Sequence, residues 1–164
     1  MNLIRPAALV ASFTLCATPA LARIDQGTTP LLQSLPSYGI TVALNPPGCS
    51  QSGFHGSYNT ATKKLMVCYT GRPVAEDHDT VRHETFHAIQ HCVATKRRST
   101  SALLEPILTG AGLRSFVSNT LSDREIIDIK SHYPRNRWNT EMEATAAAKR
   151  YTAYQMKALL RQWC

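Results

Sequence analysis

An α+β domain is what this sequence predicts, and three observations predict it. Short apolar segments of period two, separated by turn residues, fill the stretch from 40 to 69; near residue 80 the apolar period changes to about 3.6; and several stretches beyond residue 100 carry helix start and stop signals. The expected architecture is a short antiparallel sheet or hairpin followed by one amphipathic helix and then further helices.

The chain opens on a segment that does not belong to that domain. Residues 1–5 carry one positive charge and no acid, residues 7–17 are an apolar run shorter than the roughly 20 residues that span a bilayer, and Ala20-Leu21-Ala22 supplies small residues at alternate positions after Pro19. This is the three-part grammar of an export signal, with cleavage expected after Ala22 and a single domain over residues 23–164. Residues 23–48 are rich in Pro, Thr, Ser and Gly around two apolar pieces, Leu31-Leu32 and a strand at residues 40–44 closed by Asn45-Pro46-Pro47-Gly48. Residues 53–58 and 64–69 flank the polar Asn59-Thr60-Ala61-Thr62 and read as a hairpin. From about Asp79 to Ala94 a helix is expected, with Asp77 and Asp79 suited to its start. Another is expected over residues 100–109, stopped by Gly110. A third over 123–131 is opened by the capping-box pattern Ser122-Asp123-Arg124-Glu125. After Pro134, Asn139 or Thr140 can cap a long final helix.

Composition narrows the function classes. The chain carries a formal charge of +7, and loss of the signal with Arg5 leaves +6. Such a charge favours anionic surfaces, for example cell-envelope polymers, without naming a partner. No basic segment is interleaved with aromatics, so nucleic acid is not expected; Lys96-Arg97-Arg98 reads as a solvated helix end. No second apolar stretch predicts a membrane span. Setting Cys16 aside with the signal leaves Cys49, Cys68, Cys92 and Cys164, an even number in an exported chain, for which two disulfides are expected; their spacing does not suit a four-cysteine metal site. Sequential pairing is the default. It conflicts with a long straight final helix, which would carry Cys164 about 34 Å along its axis from Glu141.

The chemistry is concentrated in His83-Glu84-Thr85-Phe86-His87. Four residues of helix turn through about 400°, so His83 and His87 share one face and can hold one zinc ion between them. Glu84 lies about 100° round from His83, poorly placed to ligate but able to reach a water at the metal, which suits a general base. A chance match to this pattern has a probability on the order of 1% in a chain of this composition. His91 extends the row but stands about 12 Å along the axis from His83 and cannot share that ion. His55 and His78 read as ordinary polar histidines.

At HETFH the sequence resembles the zincin metallopeptidases. The glycine and third histidine of the metzincin branch would fall at Gln90 and Val93, which excludes that branch. Glu141-Met142-Glu143-Ala144, opening a helix 54 residues after His87, is similar to the gluzincin pattern in which a downstream glutamate is the third ligand. The family's acid four positions later is replaced by Thr145. The resemblance implies Glu141 as third ligand with Glu143 in reserve; the two stand about 200° apart and cannot both face one metal. Asp128 is a weaker candidate. An oxyanion donor is sought among His132, Tyr133, Arg137 and Tyr151, with Tyr133 preferred. The implied activity is zinc-dependent hydrolysis of a peptide or protein substrate by a secreted or periplasmic enzyme. The alternative is a non-catalytic, zinc-stabilised binding module, against which Glu84 speaks.

Overall fold

The computed structural model describes residues 22–49, 55–69, 75–99 and 103–164, with the side chains of 22–27 and 75–76 excepted. The expected export signal and its expected cleavage point lie outside these residues, save Ala22 itself.

Ala22 is the first residue of α1 (Ala22–Ser34), which runs on into a 3-10 turn at Leu35–Tyr38. Leu31 and Leu35 bury one stripe of this segment in the core. Gly39, at a φ of 72°, lets the chain reverse, its N–H bonding the Pro36 carbonyl at 3.0 Å. The reversal leads into β1 (Thr41–Leu44). The expected hairpin forms from β2 (Gly56–Asn59) and β3 (Lys64–Val67), with Tyr58 opposite Leu65.

The sheet is mixed rather than purely antiparallel, because β1 pairs in parallel with the other edge of β3. The chain therefore crosses from one sheet edge to the other between β1 and β2. That crossing is tied down by Asn45 Oδ1, which accepts from the Tyr69 N–H, and by the Cys49–Cys68 disulfide. Leu65 and Val67 alternate into the core beneath α2.

The helix of period 3.6 is α2 (Ala75–Lys96), a turn longer at its start than expected. Asp77 and Asp79 consequently lie inside it, and Asp79 pairs with Arg82 one turn on instead of capping. Val81, Phe86, Ile89 and Val93 are fully buried. Of the helix expected over 100–109, the described residues 103–109 form no part. Residues 103–109 form an irregular strap, and α3 begins where that helix was to end, spanning Gly110–Ser118. Pro106 disfavours helical geometry at Glu105, and the strap's backbone groups are engaged elsewhere.

The capping box at Ser122 opens α4 (Asp123–His132) as expected. The last expectation is corrected in a way that resolves the disulfide conflict. α5 (Trp138–Arg150) follows a 3-10 turn at Arg135–Arg137, so neither Asn139 nor Thr140 caps it. The chain then leaves helical geometry at Tyr151 and restarts as α6 (Ala153–Trp163), whose cap Thr152 forms a reciprocal box with Gln155. The turn folds α6 back along α2, and Cys92 is joined to Cys164 with Cα atoms 5.2 Å apart. Among the described residues no helix is long and apolar enough to cross a membrane.

α5 lies against α2 along a face of small residues. Ala144, Ala147 and Ala148 are almost fully buried there, and Arg82 Nε bonds the Ala148 carbonyl at 2.7 Å. Alanines at this contact allow close approach of the two helices, which brings acids on α5 within reach of histidines on α2.

Candidate metal centre

His83 and His87 project from the same face of α2, ring centroids 4.6 Å apart and edge to face. Glu141, in the first turn of α5, meets them: its Oε2 lies 3.5 Å from His83 Nε2 and 3.3 Å from His87 Nε2. The three potential ligand atoms all stand within 4.8 Å of one another, and the cluster could hold a metal ion. Two features fit that occupant. Glu141 Oε2 is buried without a hydrogen-bond partner, a costly condition for a carboxylate oxygen unless something else meets it. Tetrahedral bonds of about 2.0–2.1 Å also imply ligand atoms about 3.4 Å apart, close to the two separations observed.

Of the two neighbouring glutamates, Glu141 joins the cluster and Glu143 does not. Glu141 Oε1 accepts from Arg137 Nη2 at 2.6 Å, which leaves Oε2 for the metal position. Burial works to raise the Glu141 pKa, but the two imidazoles outweigh it and hold the carboxyl well below the usual range. For His87 burial works to lower the pKa, while Glu141 and then Glu84 hold it above its ordinary value. Asp128 is exposed on α4 and outside the cluster, as are His55, His78 and His91. His78 bonds Thr28, and His91 Nδ1 lies 2.9 Å from the Tyr58 hydroxyl.

Glu84 is buried beside the trio without joining it. Burial is the main influence on its carboxyl and raises the pKa, against the lowering effect of the two imidazoles. β2 passes directly over this residue, and Gly56 makes the approach possible. A Cβ at that position would lie 2.7 Å from Thr80 Cγ2, 2.9 Å from the Met66 carbonyl oxygen and 3.2 Å from Glu84 Cγ. His83, of the trio, and Glu84 border an open cleft of about 440 Å³, lined also by Gly56 and Tyr133 among others.

Of the four oxyanion candidates, Tyr133 is the one whose side chain lines this cleft. Burial raises its pKa first, and the charges of Glu141 and Glu84 add to that, so its phenol stays protonated. Arg137 is committed to Glu141, with its guanidinium over the Tyr133 ring. His132 Nδ1 contacts the Asp128 carbonyl at the end of α4, and Tyr151 packs between Phe86 and Phe116.

Two residues were missed by reading the sequence. Gln90 had served only to mark a missing glycine, yet its Oε1 lies 2.8 Å from His87 Nδ1, so it contacts a metal-site histidine directly. Arg97, exposed with Lys96 and Arg98 at the end of α2 as expected, also donates to the carbonyls of Pro106 and Ile107 and lies over the Trp163 ring. Their partners are distant in sequence, and no local pattern signals them.

No family model, no curated protein and no solved structure matches this chain. The functional reading therefore rests on the geometry.

Proposed function

We propose that the protein is an exported zinc-dependent peptidase. The observation that carries this reading is the buried carboxylate of Glu84 beside the His83, His87 and Glu141 cluster on an open cleft. Two imidazoles and one carboxylate are a donor set suited to zinc, and three protein ligands leave a position open, as catalytic sites do. When bound, zinc supplies positive charge that polarises a peptide carbonyl and acidifies an attacking water.

The chain's own groups perform the remaining work. Glu84 takes the proton of the attacking water and passes it to the leaving amine; its burial makes it a stronger base than an exposed carboxylate. Tyr133, kept protonated, donates to the carbonyl oxygen as that atom gains charge. Arg137 holds Glu141 Oε1 and so orients the other carboxylate oxygen. Among the described residues β2 pairs only with β3, and its free side can take a substrate backbone as an added strand next to Glu84.

Two disulfides suit an oxidising compartment and support export. The excess of positive charge supports salt-sensitive adsorption to anionic envelope polymers. The deciding experiment measures zinc content and peptide turnover together in wild type and Glu84→Gln. The variant retains stoichiometric zinc and loses about 10²- to 10⁴-fold in turnover; wild-type turnover in the variant overturns the assignment.

A further inference from the structure

Gln90 on α2 and Glu143 on α5 are both 0% exposed, and neither belongs to the metal cluster. Two long polar side chains persist in an interior only when their hydrogen-bonding groups are met. Here each one is. Gln90 Nε2 donates to the Thr140 carbonyl and to Glu143 Oε2, both at 3.0 Å. Glu143 Oε2 also accepts from the Ile107 N–H at 3.0 Å, and its Oε1 accepts from the Leu108 N–H at 2.7 Å.

The Thr140 carbonyl fixes the orientation of the Gln90 amide, because a carbonyl oxygen only accepts and must face the NH2 end. Gln90 Oε1 is thereby turned toward His87, where it can accept only if His87 Nδ1 carries the hydrogen. The lone pair of His87 then lies on Nε2, the atom aimed at Glu141 and the metal position. At the other end of the chain of bonds, residues 103–108 are held to α2 as well: the Glu105 N–H bonds the Gln90 carbonyl at 3.3 Å, and Arg97 bonds the carbonyls of Pro106 and Ile107.

We infer that Glu143 and Gln90 are positioning residues forming a relay between the 103–108 strap and His87, so that order in the strap and metal affinity at the cluster are linked. The inference rests on the reading of His83, His87 and Glu141 as metal ligands. It makes Glu143, the reserve ligand by resemblance, the hub of a different contact. Because linkage is reciprocal, metal binding protects the strap's backbone amides as much as the strap supports the metal.

The test uses the full disulfide-bonded protein, with zinc as the probe, in wild type, Gln90→Met and Glu143→Gln. Gln90→Met nearly keeps the volume and removes the acceptor opposite Nδ1. Three quantities are read: zinc affinity by chelator competition, the melting temperature of the metal-free protein, and hydrogen exchange at Ile107 and Leu108 with and without zinc. The expected result is stoichiometric zinc in wild type with slowed exchange at both amides, and about 10- to 100-fold weaker zinc in Gln90→Met. In that variant zinc no longer slows the strap's exchange. Wild-type zinc affinity in Gln90→Met, or a loss accompanied by an undiminished effect of zinc on the strap, overturns the relay while leaving the metal site standing. Should Gln90→Met not fold, Glu143→Gln decides: its NH2 end must face a donor in either orientation, the Leu108 N–H or else Gln90 Nε2 and the Ile107 N–H, so the link between strap and Gln90 is broken at one end, and unchanged zinc affinity overturns the relay. Absence of stoichiometric zinc in wild type overturns the metal reading and the relay with it.

Discussion

Substituting Gly56 by alanine tests how closely the sheet and the metal-site helix are fitted. The added methyl would stand 2.7 Å from Thr80 Cγ2 and 2.9 Å from the Met66 carbonyl oxygen, both well inside normal contact. The threonine can turn away; the carbonyl cannot, because Met66 lies in the central strand, paired on both sides with Ala43 and Ser57. Relief must come from β2 shifting away from β3 as well as from α2, and overpacking of this kind costs about 1–3 kcal/mol. For a domain of this size that lowers the melting temperature by roughly 3 to 10 °C. The same displacement reaches Glu84, whose Cγ is the third atom in line at 3.2 Å. Thermal denaturation with excess chelator isolates the packing cost, and zinc affinity reports whether His83 and His87 have moved. A melting temperature within 1 °C of wild type refutes the close approach of β2 and α2.

Three further outcomes follow from the same geometry. Glu141→Ala weakens zinc binding far more than Glu143→Ala in chelator competition, since Glu141 meets both imidazoles and Glu143 acts only through Gln90; the reverse ranking refutes the ligand assignment. The metal-free protein loses stability as pH rises from the ordinary histidine value of 6.5 through the raised value of His87, because the protonated form is the one stabilised on folding. Zinc affinity rises over the same interval as protons stop competing for Nε2, so melting curves with zinc and with chelator diverge with pH; parallel curves refute the assignment of His87. Replacing Cys164 by serine opens a bridge spanning 72 residues and costs about 4 kcal/mol by chain entropy, measured by urea denaturation. A cost below about 1 kcal/mol refutes the view that this bridge holds α6 to α2.

What the sequence revealed and what it hid divide along the range of the interactions involved. The trio's first two members, and Glu84 beside them, are legible because one turn of helix dictates their relation. Glu141 became visible only through resemblance, since the contact between α2 and α5 depends on alanines whose role no periodicity declares. The break at Tyr151 carries no proline or glycine, yet Thr152 and Gln155 form the same kind of box that was read correctly at Ser122; the signal was present and was masked by a run of good helix formers. Residues 100–109 misled in the opposite direction. Leu103, Leu104, Ile107 and Leu108 have helical spacing, but Glu143 claims the backbone N–H groups of Ile107 and Leu108, and that acceptor lies 35 residues from Leu108.

The helix break has a consequence for the order in which the molecule is assembled. Along the chain the two cross-links interleave: His87, Cys92, Glu141 and Cys164 occur in that sequence, so neither closed loop lies inside the other. In a disordered chain the path between His87 and Glu141 is 54 residues. Once Cys92 and Cys164 are joined, a shorter path exists, five residues forward from His87, across the bridge, and 23 back to Glu141. Closure entropy grows with the logarithm of path length, so this near-halving lowers the cost of bringing the ligands together by about 0.6 kcal/mol, a factor of about three. If His87 and Glu141 share a metal ion, oxidation before metallation is thus the easier route, and a reduced chain would gather the ion less readily than an oxidised one.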